Sequence, residues 1–290
     1  MLGFKEKLSL LLYFVCGGAV LGFSLARAFM MNGKTMHEQT TAGEFRWFSL
    51  TMYRVSYIIH IYLSIVTGFI VGLQFIPAIR RKYVFLHRLN GYVCLTLLIV
   101  GNACGGIISR RAFGGEINAQ SGYYILAIMT IFSAFMGYWY VKRNTRAHRK
   151  WMLRSVTYFA AIITARVIMI TARTIITEVG SYYSLWRCDE AFFVLKDENL
   201  LIQMFPQCSS SDPTDNGLYI PVHASIHEGK LGTASAVRVV QGMSLWVATL
   251  LHMALVETYI RSTESSNYHR HGFVLEPREE AAKPPRTSRF

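Results

Sequence analysis

Long apolar stretches alternate with short polar connections along most of the chain. Six of these stretches are about 20 residues long, the length that an α-helix needs to cross ~30 Å of hydrocarbon. They cover approximately residues 8–26, 55–79, 89–109, 122–141, 153–176 and 239–260. Because lipid offers the backbone no hydrogen-bond partner, each stretch must be helical. The pattern predicts an all-α fold, a polytopic transmembrane helix bundle of six spans that occupies residues 1–261.

The connections between the stretches differ in length and composition. The longest, residues 177–238, is rich in aromatic side chains, so we expect it to pack as an extracytoplasmic cap over the bundle. Within it, residues 209–217 contain Pro, Asp and Asn-Gly, which predict a turn. Residues 262–290 are polar and contain several prolines, which predicts a disordered cytoplasmic tail.

The overall charge is strongly positive, but its distribution argues against nucleic acid as a partner. The chain is 52% hydrophobic and 16% charged, with a net charge of +13. The cations cluster in short connections at helix ends, whereas a nucleic-acid-binding protein carries them on a soluble face. The expected partners are therefore the lipid bilayer and anionic lipid headgroups at the basic loops.

The basic connections also predict an orientation. Lysines and arginines are concentrated in residues 80–88 and 142–154, and short basic connections stay in the cytoplasm. Six crossings then put both termini in the cytoplasm, in a secretory-pathway membrane or the plasma membrane. The first span resembles a secretory signal that ends at Ala26-Arg27-Ala28, but its apolar stretch is longer than the usual 7 to 15 residues. We expect it to remain; cleavage would leave five spans.

Two cysteines share the predicted outer connection. Cys188 and Cys208 would lie outside the cytosol, where a disulfide forms and persists. We therefore predict a disulfide between them, and the alternative is two free thiols in a loop.

Two arginines within the fifth span are candidate binding residues. A charge near the bilayer centre costs at least ~2.5 kcal/mol, so it usually faces a partner or a wet cavity. Arg166 and Arg173 are seven residues apart and share one helix face. They could hold an anionic cofactor group, a lipid headgroup or an anionic substrate. The structural alternatives are ion pairs with Glu178 or Glu257, or snorkelling of Arg173.

Histidines on several helices suggest proton transfer or cofactor ligation. His60 falls in the outer part of the second span, while His87 and His148 begin the third and fifth spans on the cytoplasmic side. Neutral imidazoles carry protons and ligate haem, so His87 and His148 are candidate ligands of haem b. A structural or interfacial role is the alternative for each ring, and no spacing within one helix specifies a metal site.

Several of these residues lie in motifs that run from the second to the fifth span. The motifs are His60-Ile61, Gly68, Gly72, Gln74-Phe75, Pro77, Arg80, His87-Arg88-x-x-Gly91, His148-Arg149-x-Trp151-Met152-x-Arg154 and Ala165-Arg166. This arrangement resembles the predicted membrane proteins grouped as domain of unknown function 2306, over about residues 56–173. The family has no established reaction, so the resemblance implies a fold and candidate residues.

Three functions remain open from the sequence. The first is a membrane oxidoreductase, or an enzyme acting on a lipophilic metabolite in a biosynthetic pathway. In it, His60, His87 and His148 would be ligands or proton carriers, and Arg166 and Arg173 would bind an anionic group. The second is a small-molecule carrier, although the inverted repeats typical of many carriers are absent from the sequence. The third is a membrane scaffold without catalysis.

Overall fold

The described part of the chain is an all-α bundle with six helices long and apolar enough to cross a membrane, as predicted. The computed structural model describes Phe4, residues 7–209 and residues 218–269, with side chains as far as residue 263. We number the helices span 1 to span 6. They are Lys7–Met31, Thr51–Phe75, Val84–Ser109, Ile117–Tyr140, Thr145–Val179 and Gly229–His269.

Two spans contain irregular turns. Span 1 includes a π-helical segment, Tyr13–Gly17, and ends in a 3-10 turn, Phe29–Met31. Span 2 is α-helical over Thr51–Val71 and closes in a 3-10 turn, Gly72–Phe75. A separate helix, Pro77–Lys82, follows it, because proline fits the first turn of a helix but cannot continue the hydrogen bonds of a preceding one.

The connections at the other ends of these spans contain short helices. Gly33–Gln39 and Phe45–Phe48 lie between spans 1 and 2, and a 3-10 turn, Ala112–Gly115, lies between spans 3 and 4. Phe113 in that turn has a positive φ of 51°. Glu44, just before the helix Phe45–Phe48, and Phe113 in the 3-10 turn belong to the site described below.

Spans 5 and 6 are longer than the bilayer requires. Span 5 has 35 residues, a length of roughly 52 Å at 1.5 Å per residue, so it projects beyond the hydrocarbon. It begins early because the Asn144 side chain accepts a hydrogen bond from Ala147 N at 3.1 Å, and it ends at Gly180, whose φ is 68°. The most extensive helix contacts join span 5 to spans 4 and 6, and span 2 to span 3.

An ordered cap covers one end of the bundle. Its strands, Tyr183–Arg187 (β1) and Tyr219–His223 (β2), pair antiparallel with Leu185 opposite Pro221. Two helices, Cys188–Leu195 and Glu198–Met204, and a 3-10 turn, Pro206–Ser209, lie between the strands. The Cys188–Cys208 disulfide joins the first of these helices to the 3-10 turn, as predicted. Trp186, at 0% exposure, forms the centre of the cap's small core.

The described cap is shorter than the predicted connection of residues 177–238. Span 6 already begins at Gly229, so Arg238 lies within a helix. Most of the predicted turn at residues 209–217 lies outside the described residues. The described chain is still helical at residues 262–269, whereas the rest of the predicted tail lies outside the described residues.

The two ends of the bundle differ in composition, and we call them the cap end and the basic end. The cap end comprises residues 32–50, 110–116 and 180–228. The basic end comprises residues 76–90 and 141–154.

Candidate functional site

A buried carboxylate lies at the cap end, in the connection between spans 1 and 2. Glu44 is 5% exposed and follows Gly43, whose φ of 89° permits the turn before the helix Phe45–Phe48. Its Oε1 accepts a hydrogen bond from Phe113 N at 2.6 Å. Burial raises the pKa of Glu44 above its usual value, although the Phe113 N–H and the charges of Arg166 and Arg238 oppose the rise.

Arg166 of span 5 is the charged group around which the site is built. Its guanidinium lies 4.9 Å from the centre of the Phe113 ring, and Nη1 lies 3.6 Å from Met169 Sδ. Its charge also acts on other groups in the half of the bundle nearer the cap, namely Arg27, Glu44, Tyr57, His60 and Tyr123. The described partners of Arg166 therefore face into the protein.

Two tyrosines present hydroxyl groups to the same region. Tyr57 stacks on Phe48 with a centroid distance of 4.5 Å, and its hydroxyl lies 2.8 Å from Thr40 Oγ1. Tyr123 stacks on Phe113, and its hydroxyl accepts a hydrogen bond from Gln241 Nε2 at 2.8 Å. The stacked rings fix where both hydroxyls lie.

His60 of span 2 completes the group. Its Nδ1 lies 2.8 Å from the carbonyl oxygen of Gly101, so Nδ1 carries the donated proton and Nε2 is the acceptor in the neutral ring. A Cβ at Gly105 would lie 2.8 Å from Nδ1, whereas a Cβ at Gly106 would meet nothing within 4 Å. Gly105 therefore makes room for this ring. We call Glu44, Tyr57, His60, Tyr123 and Arg166 the polar column.

A buried ion pair fastens the cap above the polar column. Arg238 Nη2 donates to Glu190 Oε2 at 2.8 Å, and Trp47 Nε1 donates to Glu190 Oε1 at 2.6 Å. Arg238 and Glu190 are 2% and 4% exposed, and the Arg238 guanidinium lies 3.4 Å from the centre of a Trp186 ring. The pair thereby joins span 6 to the cap and to the connection that carries Glu44.

Arg173 is half-buried two turns beyond Arg166, and its Nε has no hydrogen-bond partner among the described residues. Neither predicted ion pair accounts for the two arginines. Glu257 instead accepts two hydrogen bonds from Arg154, at 2.5 and 2.9 Å, and Glu178 lies 3.7 Å from His227 Nε2.

The predicted site residues fall into two groups at different depths. The charge of Arg166 acts on His60 in the polar column, and the charge of His148 acts on His87 at the basic end. Arg166 and His148 are 18 residues apart on one helix, a separation of roughly 27 Å. A single ligand of ordinary size does not reach both groups.

This arrangement gives the haem prediction no support. The charges of Arg80 and Arg88 act on His87, and positive charges around this imidazole disfavour a positively charged iron. Among residues 7–209 and 218–263, no three histidine, cysteine or acidic side chains converge as a metal site.

Sequence reasoning missed Glu44, Tyr57, Tyr123 and Arg238. Glu44 could have been noticed as a lone acidic residue between a glycine and the aromatic run Phe45-Arg46-Trp47-Phe48. Arg238 was placed at the edge of a connection, so its position within a helix was not considered. For the two tyrosines, nothing in the sequence separates them from other aromatic residues of the spans.

The fold and the two clusters define a multi-pass membrane protein with ionisable groups inside its bundle. The model of the family described as "Predicted membrane protein (DUF2306)" matches residues 57–187, which confirms the resemblance over spans 2 to 5. The match includes His60, His87, His148, Arg166 and Arg173, whereas Glu44 and Arg238 lie outside it.

A second comparison covers nearly the whole chain. The chain is 22% identical to "Ava biosynthesis cluster protein G" of Aspergillus versicolor in an alignment of 311 positions. The alignment covers 89% of this chain and 90% of that protein. No solved structure matches the chain significantly.

Proposed function

We propose that this protein is a membrane enzyme that acts on a lipophilic metabolite in a biosynthetic pathway, with the polar column as its active site. The observation that carries the proposal is the buried Glu44 carboxyl, which accepts a hydrogen bond from Phe113 N while the Arg166 guanidinium lies over the Phe113 ring. The similarity to a protein named for a biosynthesis cluster supports the pathway assignment.

The members of the column are suited to acid–base chemistry. Because burial raises the pKa of Glu44 above its ordinary value, its carboxyl exchanges a proton closer to neutral pH than an exposed glutamate does. The Arg166 guanidinium is placed to stabilise an oxygen that gains negative charge, and such stabilisation is strong where water is excluded. His60 Nε2 offers a second proton acceptor, and the tyrosine hydroxyls can orient polar atoms of a substrate.

The surroundings of the column favour an apolar substrate with few polar atoms. Phe113 and Met169 contact Arg166, and Phe48 and Phe113 stack on the two tyrosines. Small-molecule sites are commonly lined in this way, with a few polar groups among aromatic and apolar side chains. A metabolite dissolved in the bilayer would meet these side chains within the span region.

The proposal places the cap outside the cytosol. The Cys188–Cys208 disulfide supports this orientation, since disulfides persist in oxidising compartments. The arginines and lysines of the basic end support it as well, since short basic connections remain in the cytoplasm. Both termini would then be cytoplasmic, in a secretory-pathway membrane or the plasma membrane.

Metabolite profiling of a gene-deletion strain tests the proposal. We expect the deletion to accumulate an extractable lipophilic intermediate, and the wild-type chain to restore its conversion. E44Q and R166Q should lower conversion at least about 100-fold, the scale of losing a group that acts in proton transfer or charge stabilisation. Each variant is compared at equal membrane abundance and with an unchanged elution profile in detergent.

A pair of neighbouring glycines supplies the matched control. G105A should displace the His60 ring and lower conversion, whereas G106A should leave it near the wild-type level. If E44Q and R166Q restore conversion of the intermediate fully at normal abundance, the protein is a scaffold, because a scaffold tolerates loss of these groups. If the deletion instead moves an unchanged metabolite to the other side of the membrane, the protein is a carrier.

A further inference from the structure

A glutamine of span 6 lies against the polar column. Gln241 is 0% exposed, and its Nε2 lies 2.8 Å from the Tyr123 hydroxyl of span 4. The two helices pack closely at this point, since a Cβ at Gly122 or at Gly242 would collide with a side chain of the other helix. These glycines therefore allow the approach that brings the glutamine amide to the tyrosine hydroxyl.

One atom of the Gln241 amide has no hydrogen-bond partner in the described part of the chain. Nε2 donates to the Tyr123 hydroxyl, whereas Oε1 is buried and unpaired. A buried amide oxygen without a donor is unfavourable, and native proteins rarely contain one. Packing alone does not explain an amide at this position, because an apolar side chain of similar size would fill the same space without that penalty.

The contact between Gln241 and Tyr123 leaves one donor and one acceptor for a third group. The Tyr123 oxygen accepts from Nε2, so its own proton is directed elsewhere, and Oε1 is the matching acceptor. When the amide is turned over, Tyr123 donates to Oε1, and the remaining donor and acceptor are Nε2 and the Tyr123 oxygen. In both orientations, the pair matches a group that donates and accepts at once.

A single hydroxyl oxygen can reach both residues. The oxygen and nitrogen of an amide are at most about 2.6 Å apart, so Gln241 Oε1 lies at most about 5.4 Å from the Tyr123 oxygen. This distance is less than two hydrogen bonds of about 2.8 Å each. Tyr123 is partly exposed, which gives a ligand access beside it. The terminal torsion of a glutamine is soft, so the amide can turn toward that ligand.

We propose that Gln241 and Tyr123 bind a hydroxyl group, which makes the lipophilic substrate an alcohol or a phenol. The inference rests on the proposed function and names the polar group that the substrate carries. A hydroxyl both donates and accepts, whereas a ketone or an ether oxygen only accepts. Phe113 stacks on Tyr123 and lies 4.9 Å from the Arg166 guanidinium, so the pair adjoins the residues assigned to the chemistry.

A matched pair of probes tests the inference apart from catalysis. Thymol is a lipophilic phenol, and its methyl ether has the same carbon skeleton but no proton to donate. Each is titrated calorimetrically into the full chain in phosphatidylcholine nanodiscs, and empty nanodiscs give the background of partitioning into lipid. We expect thymol to bind at least about tenfold more tightly than its methyl ether, the scale of one or two hydrogen bonds.

A double variant and a neighbouring control assign this preference to the pair. Y123F/Q241L replaces both polar partners with apolar side chains of similar size, so its melting temperature should equal or exceed that of the wild type. The same variant should bind thymol and its methyl ether equally. Y124F is the control, since Tyr124 is the exposed neighbour of Tyr123, and it should bind thymol within about threefold of the wild type. A preference that persists in the double variant, or a marked loss of its stability, would overturn the assignment.

The outcomes separate this inference from the proposed function. Equal binding of thymol and its methyl ether by the wild-type chain, or no saturable binding of thymol, overturns the hydroxyl site and leaves the enzyme proposal standing. The intermediate that accumulates in the deletion strain should be acetylated by acetic anhydride; an intermediate that is not acetylated carries no hydroxyl and also overturns the site. If no intermediate accumulates, the enzyme proposal fails, while the thymol preference still decides whether Gln241 and Tyr123 bind a hydroxyl.

Discussion

The cap end and the basic end handle their charges in opposite ways. At the cap end, the buried carboxylates Glu44, Asp189 and Glu190 lie among arginines, and each carboxylate has a described hydrogen-bond partner. At the basic end, most of the arginines and lysines are exposed or partly exposed, and Arg154 pairs with Glu257 of span 6. The cap end pairs its buried charges internally, whereas the basic end leaves its charges near the surface of the protein.

The difference between the two ends reflects what a charged side chain needs when it is removed from water. A charge removed from water is tolerated when an opposite charge and hydrogen bonds accompany it, so the buried Arg238 lies beside Glu190 and Trp186. Charges at the basic end lie at the ends of the spans and are mostly exposed or partly exposed, so the surroundings of the protein can supply the compensation. Substitutions at the two ends should therefore differ in the size of their effects.

The largest effect is expected from E190Q. This change leaves the Arg238 guanidinium buried without an opposite charge, which should destabilise the protein by about 3–5 kcal/mol. Thermal unfolding in detergent measures it. E198Q, at an exposed position of the cap, should change the melting temperature little. Equal melting temperatures for the two variants would contradict the view that the pair holds the cap to the bundle.

Loss of the disulfide should have the next largest effect. The C188S/C208S double variant removes a crosslink over a sequence separation of 20 residues, which the loop-entropy model values at about 3 kcal/mol. Limited proteolysis should cut the cap faster, while the spans remain protected. C16S, which removes a free thiol in span 1, should match the wild type. Unchanged cap proteolysis in the double variant would show that packing around Trp186 suffices.

A smaller effect is expected from the ion pair near the basic end. Arg154 and Glu257 are partly exposed, so their coupling should be about 1 kcal/mol. A double-mutant cycle of R154Q, E257Q and the combined variant, followed by thermal unfolding, isolates that coupling. A coupling as large as the E190Q effect would mean that the two ends do not differ as described.

The smallest expected effect is a pH dependence of the cap at His223. Glu228 Oε1 lies 2.6 Å from Nδ1 and the Gly180 carbonyl oxygen lies 3.1 Å from Nε2, and the Glu228 carboxylate raises the pKa of His223. The protonated ring therefore stabilises β2 fully below pH about 6.5, and this contribution is lost as the pH rises through the higher folded pKa. Hydrogen exchange of β2, corrected for intrinsic rates, should show it, and H223Q should abolish the pH dependence.

The elements that were predicted correctly depend on local composition. The six spans follow from apolar length alone, and the orientation hypothesis follows from the lysines and arginines beside them. The Cys188–Cys208 disulfide was predictable because two cysteines share one long connection. Span boundaries were less accurate, since caps such as Asn144 and the early start at Gly229 extend the helices beyond their apolar stretches.

The candidate site was only partly predictable. Arg166 and His60 stood out because ionisable side chains are costly within spans. Glu44 did not, since its burial depends on the hydrogen bond from Phe113 N, a residue 69 positions away, and on the cap above it. The placement of His87 and His148 at the opposite side of the bundle from His60 was predicted from their positions in the spans, whereas the association of Arg166 with the Phe113 ring required the arrangement of the helices.

The six membrane-length helices follow from local composition, because the free energy of burying backbone and side chains in lipid depends on composition over about 20 residues. Which charges meet depends instead on the packing of distant segments. Contacts such as Glu44 with Phe113, or Glu190 with Arg238, join distant segments, and their geometry depends on how the spans and the cap pack.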